Sequence, residues 1–117
     1  MGDDGGLPLF KGTLDLLILK SLSWEAMHGY GIVSWLESRS GGSLGLDDSA
    51  VYQALHRLEG RRLVRARWGR SENNRRARFY ELTARGRAAL EREADVWSRY
   101  VACVSDILAA RHPGPAS

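Results

Sequence analysis

Residues 63 to 82 form the one stretch of this chain whose pattern has a period of two. Leu63-Val64-Arg65-Ala66-Arg67-Trp68 and Arg78-Phe79-Tyr80-Glu81-Leu82 flank a polar run, Gly69 to Ala77, with Asn73-Asn74 at its expected tip. Successive side chains of a strand point to opposite faces, so the stretch predicts a β-hairpin with Val64, Ala66 and Trp68 on one side and Arg65 and Arg67 on the other. Before and after it, apolar residues recur at three and four, the helical period. Two strands alone are marginal in water, so the hairpin must lie against the helices and its loop must project. The expected class is mainly α with a small β-hairpin (α+β). With 117 residues, 44% hydrophobic content, four Trp, four Tyr and two Phe, the chain has one domain's worth of core, and a second copy would help it.

Four helices are expected around the hairpin. After ten residues that read as a loose arm, Thr13 can cap a helix built on Leu14, Leu16, Leu17, Ile18, Leu19 and Leu22, with Asp15 in its first turn. Apolar residues on nearly every side of that short segment imply burial. A turn at Trp24 to His28 leads into a second helix marked by Ile32, Val33 and Leu36 and stopped by Gly41-Gly42. Ser40 to Leu46 reads as a flexible connection, and Asp47 or Asp48 can cap a third helix running to about Arg61. In that helix Val51, Leu55 and Leu58 make an apolar stripe, while Ser49, Tyr52, Gln53 and His56 project from the other side.

Charge is distributed unevenly along this layout. Residues 57 to 92 carry twelve arginines and four acids, whereas residues 1 to 56 carry three basic and seven acidic side chains. A local excess of this kind is the electrostatic footprint of a polyanion partner. Seven of the arginines, Arg65, Arg67, Arg70, Arg75, Arg76, Arg78 and Arg85, fall in or beside the hairpin, where a solvated face would mix both signs. Guanidinium groups on a projecting loop bind phosphates and can enter a narrow minor groove. Ser, Tyr, Gln and His on the exposed face of the third helix are donor and acceptor types that reach base edges and phosphate oxygens in a major groove. Each of these alone is as easily a packing or solvent-facing residue; together they favour a recognition helix in a helix-turn-helix. The expected DNA contacts are therefore Ser49, Tyr52, Gln53, His56, Arg57, Arg70, Arg75, Arg76 and Arg78.

Several other classes are disfavoured. The basic stretch lacks the long moment and large apolar residues of an interfacial helix, no stretch approaches a membrane span, and the acidic, Gly-rich start is unlike a secretory signal. With one cysteine, Cys103, no intrachain disulfide can form, and a reducing, cytoplasmic setting is expected. His28, His56 and His112 lack metal-ligand spacing, Cys103 on an apolar helix is a packing residue rather than a nucleophile, and no P-loop or dinucleotide fingerprint is present. No enzymatic activity, metal or cofactor is expected.

The last helix is long. Thr83 can cap a segment continuous to about Ala110, with Gly86 in its first turn and His112-Pro113-Gly114-Pro115 ending it. Leu90, Ala94, Trp97, Val101, Val104 and Leu108 form a stripe, flanked by Tyr100 and Ile107. At 1.5 Å per residue such a helix is about 40 Å long, more than so small a core can cover, so a partner helix is needed. Two-fold homodimers are the commonest assembly, and these six stripe residues are the expected interface.

The run Leu14 to Leu22 followed by His28-Gly29-Tyr30-Gly31, the segment Val51-Tyr52-Gln53-Ala54-Leu55-His56-Arg57-Leu58-Glu59, and the closing Arg75-Arg76-Ala77-Arg78-Phe79-Tyr80-Glu81-Leu82-Thr83-Ala84-Arg85-Gly86 resemble the PadR family of transcriptional regulators, over roughly residues 9 to 109. The resemblance implies a winged helix-turn-helix dimer with a long C-terminal dimerisation helix, which represses transcription and releases DNA when an effector is sensed. It implies a flexible arm over 1–10, a DNA-binding domain over 11–82, a dimerisation helix over 83–111 and a flexible tail over 112–117. Two positions depart from the family pattern. Gln53 stands where proline is common, which adds a polar group to the reading face. Arg62 stands where glycine precedes the Leu-Val that opens the wing, so either Arg62 takes the left-handed conformation at a cost of about 1 kcal/mol or Gly60 ends the helix earlier.

The chain is similar to short members, some of which line a drug-sized pocket at the dimer interface with a tryptophan. By that likeness Trp97 can stack on a small aromatic effector, with Tyr100, Val101 and Val104 around it; plain interface packing is the preferred reading of the same residues. The leading expectation is a dimeric sequence-specific repressor on double-stranded DNA, at a pseudo-palindromic operator. The alternative is a winged-helix protein- or RNA-interaction module without sequence-specific DNA binding.

Overall fold

The computed structural model describes residues 6–112. Helix α1 (Thr13–Ser21), strand β1 (Met27–His28), helices α2 (Gly29–Ser40) and α3 (Asp48–Gly60), strands β2 (Val64–Arg70) and β3 (Arg76–Leu82), and helix α4 (Ala84–Ala109) follow one another in that order. The strands form one antiparallel sheet in the order β1-β3-β2. None of the described helices is long and apolar enough to cross a membrane.

The core is made where the apolar stripes of the helices meet the base of the hairpin. Ile18, Leu19 and Leu22 come from α1 and its end, Ile32, Val33 and Leu36 from α2, Val51, Ala54, Leu55 and Leu58 from α3, and Leu63, Val64, Tyr80 and Leu82 from the sheet. Leu14 and Leu17 pack half-buried around it, as a helix apolar on most sides requires. Cross-strand register follows from this burial. Val64 faces Leu82 and Ala66 faces Tyr80 on the inner face, while Arg65 faces Glu81 on the outer one.

Three of the four helix starts carry side-chain caps. Asp47 accepts from the Ser49 amide at 3.2 Å and Thr83 Oγ1 from the Gly86 amide at 3.0 Å, both at positions the sequence marks. The third is His28, whose Nδ1 accepts from the Gly31 amide at 3.0 Å. Thr13 does not cap α1: it is the helix's first residue, after Gly12 at φ 86°, and no side chain closes that end. The expected turn over Trp24–His28 contains β1, whose Met27 and His28 pair with Tyr80 and Phe79. A two-residue strand is too short to leave any periodicity to read. The hairpin strands run further than their alternation suggests, leaving Ser71–Arg75 as the turn with Asn74 at φ 58°. The arm is tied at one point, where the Leu7 amide donates to the Ser43 carbonyl at 2.6 Å and the Gly45 amide to the Leu7 carbonyl at 3.0 Å. Residues 1–5 and 113–117, which hold the rest of the expected arm and nearly all of the expected tail, lie outside the described residues.

α3, the wing and α4 meet at one peptide. Past Gly60, Arg62 adopts φ 64°, and its amide donates to the Glu59 carbonyl while the Leu63 amide donates to the Leu58 carbonyl, both at 2.9 Å. This pair of bonds is a Schellman motif, with Leu58 and Leu63 as its buried apolar contact. Of the two alternatives for this turn, Arg62 carries the left-handed residue. The Leu63 carbonyl then receives the Thr83 amide at 3.1 Å and lies so close to Gly86 that a Cβ there would overlap it. Gly86 thus marks a close approach of backbones inside α4's first turn.

Beyond that turn α4 runs beside α1 as far as about Tyr100 and then leaves the body. Within it only Gly86 and Ala89 are buried, and Leu90, expected in the dimer stripe, is partly buried against the chain's own core. Further along, Ile107 is 67% and Leu108 79% exposed. The radius of gyration is 17.6 Å, against about 13 Å for a compact chain of this length. A 26-residue helix projecting from a small body accounts for the difference.

Candidate nucleic-acid interface

The outer face of α3 carries Ser49, Tyr52, Gln53 and His56, all exposed, opposite the buried Val51, Leu55 and Leu58. Tyr52 does two things. Its ring lies on Gly29 at the start of α2, where any side chain would collide with it, and it remains 47% exposed toward the reading face. The absence of a side chain at 29 therefore lets α2 and α3 approach.

The wing divides its charges between two faces. On the outer face Arg65 Nε donates to Glu81 at 2.7 Å, with Arg67 at 3.9 Å from the same carboxylate. The Arg65 guanidinium holds the Glu81 carboxyl below the usual carboxylate range, with Arg67 adding to the effect. On the inner face, past the edge of the core, stand Trp68, Arg70, Arg76 and Arg78. Arg78 Nη2 donates to Glu59 of α3 at 2.8 Å, Arg70 Nη1 to the Asn74 carbonyl at 3.1 Å, and the Arg76 guanidinium lies 4.3 Å from the Trp68 ring centroid. Arg57, expected on the DNA side, donates to Asp15 of α1 at 2.8 Å. Arg57 and Arg78 are thus committed to carboxylates of their own chain. Among the described residues Arg70, Arg75 and Arg76 form no ion pair, and they hold the unneutralised charge of the wing.

A groove of about 1040 Å³ runs between the start of α2 and the wing, lined by Tyr30, Tyr52, Trp68, Arg75, Arg76 and Arg78 among others. It brings four of the expected contact residues together. Ser49, Gln53, His56, Arg57 and Arg70 do not line it, and Tyr52 joins it to the α3 face. Across it His28 Nε2 meets Glu72 of the wing turn at 3.4 Å, while His28 stacks edge-on against Phe79. The backbone amide of Glu72, and then His28, lower the Glu72 carboxyl.

Trp68 and Tyr30 escape sequence reasoning. Trp68 alternates with Val64 and Ala66 and so reads as inward, yet it is 57% exposed because β2 outruns the core by two residues. Tyr30 lies off the Ile32, Val33, Leu36 stripe between two glycines, which was a usable signal. A second groove, of about 480 Å³, lies between α1 and α4 and is lined by Phe10, Leu16, Val96, Trp97 and Tyr100 among others. Trp97 and Tyr100, 6.4 Å apart between ring centroids, therefore share a cleft, whereas Val101 and Val104 do not line it.

The model of the transcriptional regulator PadR-like family matches residues 18–92, which spans α1 to the first third of α4. The chain belongs to that family. PadR-like proteins are transcriptional regulators, not enzymes. The fold is shared with solved PadR-like structures. A PadR-like transcriptional regulator from Bacillus cereus superposes with a TM-score of 0.77 at 22% identity, covering 88% of this chain and 98% of the other. A PadR family regulator from Clostridium difficile gives 0.70 at 27% identity over 85% and 100%. Bacillus subtilis PadR, crystallised with operator DNA, gives 0.61 at 22% identity over 91% of this chain and 52% of the other, so this chain spans about half of that protein. The four helices and small antiparallel sheet are the winged helix of these proteins.

Proposed function

We propose that this PadR-like regulator is a homodimer that binds operator DNA sequence-specifically and represses transcription, releasing it when a small aromatic effector binds. The observation that carries the DNA reading is the continuity of α3's exposed face, through Tyr52, with the arginine-lined wing groove. In that reading residues 11–82 are the DNA-binding unit. Ser49, Tyr52, Gln53 and His56 face base edges in a major groove, Arg70 and Arg75 meet phosphates and Arg76 meets the duplex beside them, with Arg57 and Arg78 bracing α3 against its neighbours and contributing field. The operator complex of Bacillus subtilis PadR supports the same class of partner.

Residues 83–111 make the dimer. The stripe Ala94, Trp97, Val101, Val104 and Leu108 runs along a helix that leaves its own body, and a second copy would cover it. Two α3 helices related by a two-fold would meet successive major grooves about 34 Å apart on a pseudo-palindromic site. The effector would lie where Trp97 and Tyr100 line the α1–α4 cleft. Such a regulator acts at the chromosome, in the cytoplasm.

Gel-shift titration against promoter fragments at several salt concentrations tests the DNA reading. Operator and random DNA should differ in affinity by roughly three orders of magnitude or more, and equal, salt-sensitive binding to every duplex would refute specificity. Tyr52→Ala and Gln53→Ala should weaken operator binding more than random DNA, whereas Arg75→Ala should weaken both alike.

A further inference from the structure

We propose that Trp68 is a positioning residue that holds Arg76 ordered and un-neutralised for contact with a narrow minor groove, so that the wing reads groove width beside the sequence contacted by α3. The inference rests on the DNA-binding reading above.

Three observations carry it. The first is how the wing arginines are bound. Arg65 and Arg67 share Glu81 on the outer face, Arg78 is bonded to Glu59, and Arg70 donates to the carbonyl of Asn74 in the turn. Arg70 and Arg76 both keep their charge whole, but Arg70 is tied back to the turn, whereas Arg76 is ordered by an indole face 4.3 Å from the guanidinium carbon. A cation–π contact orders a guanidinium without supplying a counter-charge.

The second is the register. Arg76 stands directly across from Arg70, and like charges in opposed positions repel. Trp68 lies two residues from Arg70 on the same face of β2, diagonal to Arg76, so the ring draws Arg76 away from Arg70 and along the strand. The third is the exposure of Trp68 itself. The indole is 57% exposed past the edge of the core, so more than half of its surface is free for contacts on the wing, and its face is occupied by the Arg76 guanidinium. A planar, weakly hydrated cation ordered in advance suits the strongly negative, narrow minor groove of A-tract DNA, whereas phosphate contacts need no such ordering.

The test uses the full chain and two duplexes that share a core selected from a random DNA pool, one flanked by A-tracts and the other by G·C pairs. The wild-type protein should bind the A-tract duplex roughly five- to tenfold more tightly. Trp68→Leu should bring the two affinities to within about twofold while leaving the salt slope unchanged, because no charge is lost. Trp68→Phe, which keeps a ring, should retain part of the preference. Arg76→Lys should lose the preference and keep the slope, and Arg76→Ala should lose both, the slope falling by about 1.

Thermal unfolding matched to wild type for Trp68→Phe guards against reading a misfolded wing as a lost contact. Equal wild-type affinity for both duplexes, or a preference that survives Trp68→Leu or Arg76→Lys, overturns the inference while DNA binding stands. Binding that neither duplex shows in a salt-dependent way removes the DNA reading and the inference with it.

Discussion

Replacing Gly86 with alanine should destabilise the protein, although helix propensity alone predicts the opposite. Position 86 lies in the first turn of α4, and a Gly→Ala change inside a helix ordinarily gains about 1 kcal/mol. Here the new methyl would overlap the Leu63 carbonyl, which is backbone and cannot swing aside. Forcing an extra methyl into a packed site costs about 1–3 kcal/mol. Moving the carbonyl also weakens the bond it accepts from the Thr83 amide at 3.1 Å, worth about 1 kcal/mol. The two losses outweigh the gain, leaving a net loss of about 1–3 kcal/mol and a fall in melting temperature of roughly 5–10 °C. Urea denaturation at one fixed protein concentration measures it, since the midpoint of a dimer, as proposed above, would depend on concentration. Gly60→Ala is the control: nothing lies within 4 Å of a Cβ there, so it should be neutral or stabilising. A Gly86→Ala protein as stable as the wild type, with Gly60→Ala behaving as expected, would refute the close approach at Leu63.

Arg62→Gly should stabilise the chain by about 0.5–1 kcal/mol, because the residue sits at φ 64° where glycine pays no Cβ penalty, and urea midpoints check it. Val101→Asp on the exposed stripe of α4 should shift sedimentation toward monomer at micromolar concentration, and an unchanged dimer would displace the interface from this face. Glu81 is held below its ordinary value near 4.5 by Arg65, so its contribution to stability is present above that value and is lost as pH falls through the lowered one. Glu81→Gln should accordingly flatten the acid limb of the stability profile measured by circular dichroism below about pH 4.5.

Much of the fold is legible in the sequence because its periodicities are strong. The stripes Ile32-Val33-Leu36 and Val51-Leu55-Leu58 bury as their spacing requires, and Asp47 and Thr83 cap as their chemistry suggests. The features that escape it are those decided by tertiary contact. β1 exists because β3 has a free edge beside Met27 and His28, a fact no local pattern contains. His28 reads as an isolated histidine, yet it caps α2 and touches the wing through Glu72. The arginine excess predicts a cationic wing, but which arginines are neutralised depends on where Asp15, Glu59 and Glu81 lie in space. Trp68 reads as core because alternation gives a side chain's face and not how far the neighbouring helices extend beneath it.

In the proposed dimer, the junction at Leu63 would tie the DNA-binding part to the part that pairs subunits. One residue, through its amide and its carbonyl, closes α3, opens the wing and braces the base of α4, so these three cannot rotate independently without breaking bonds at 2.9 and 3.1 Å. α4 is about 39 Å long at 1.5 Å per residue, and a tilt of about 10° at its root would carry its tip roughly 7 Å. Run in reverse, a small displacement between two α4 helices paired as proposed would become a change in the distance between the two α3 helices. A stiff lever anchored on a single hinge-free joint would give the proposed dimer a way to register events at its far end on an operator.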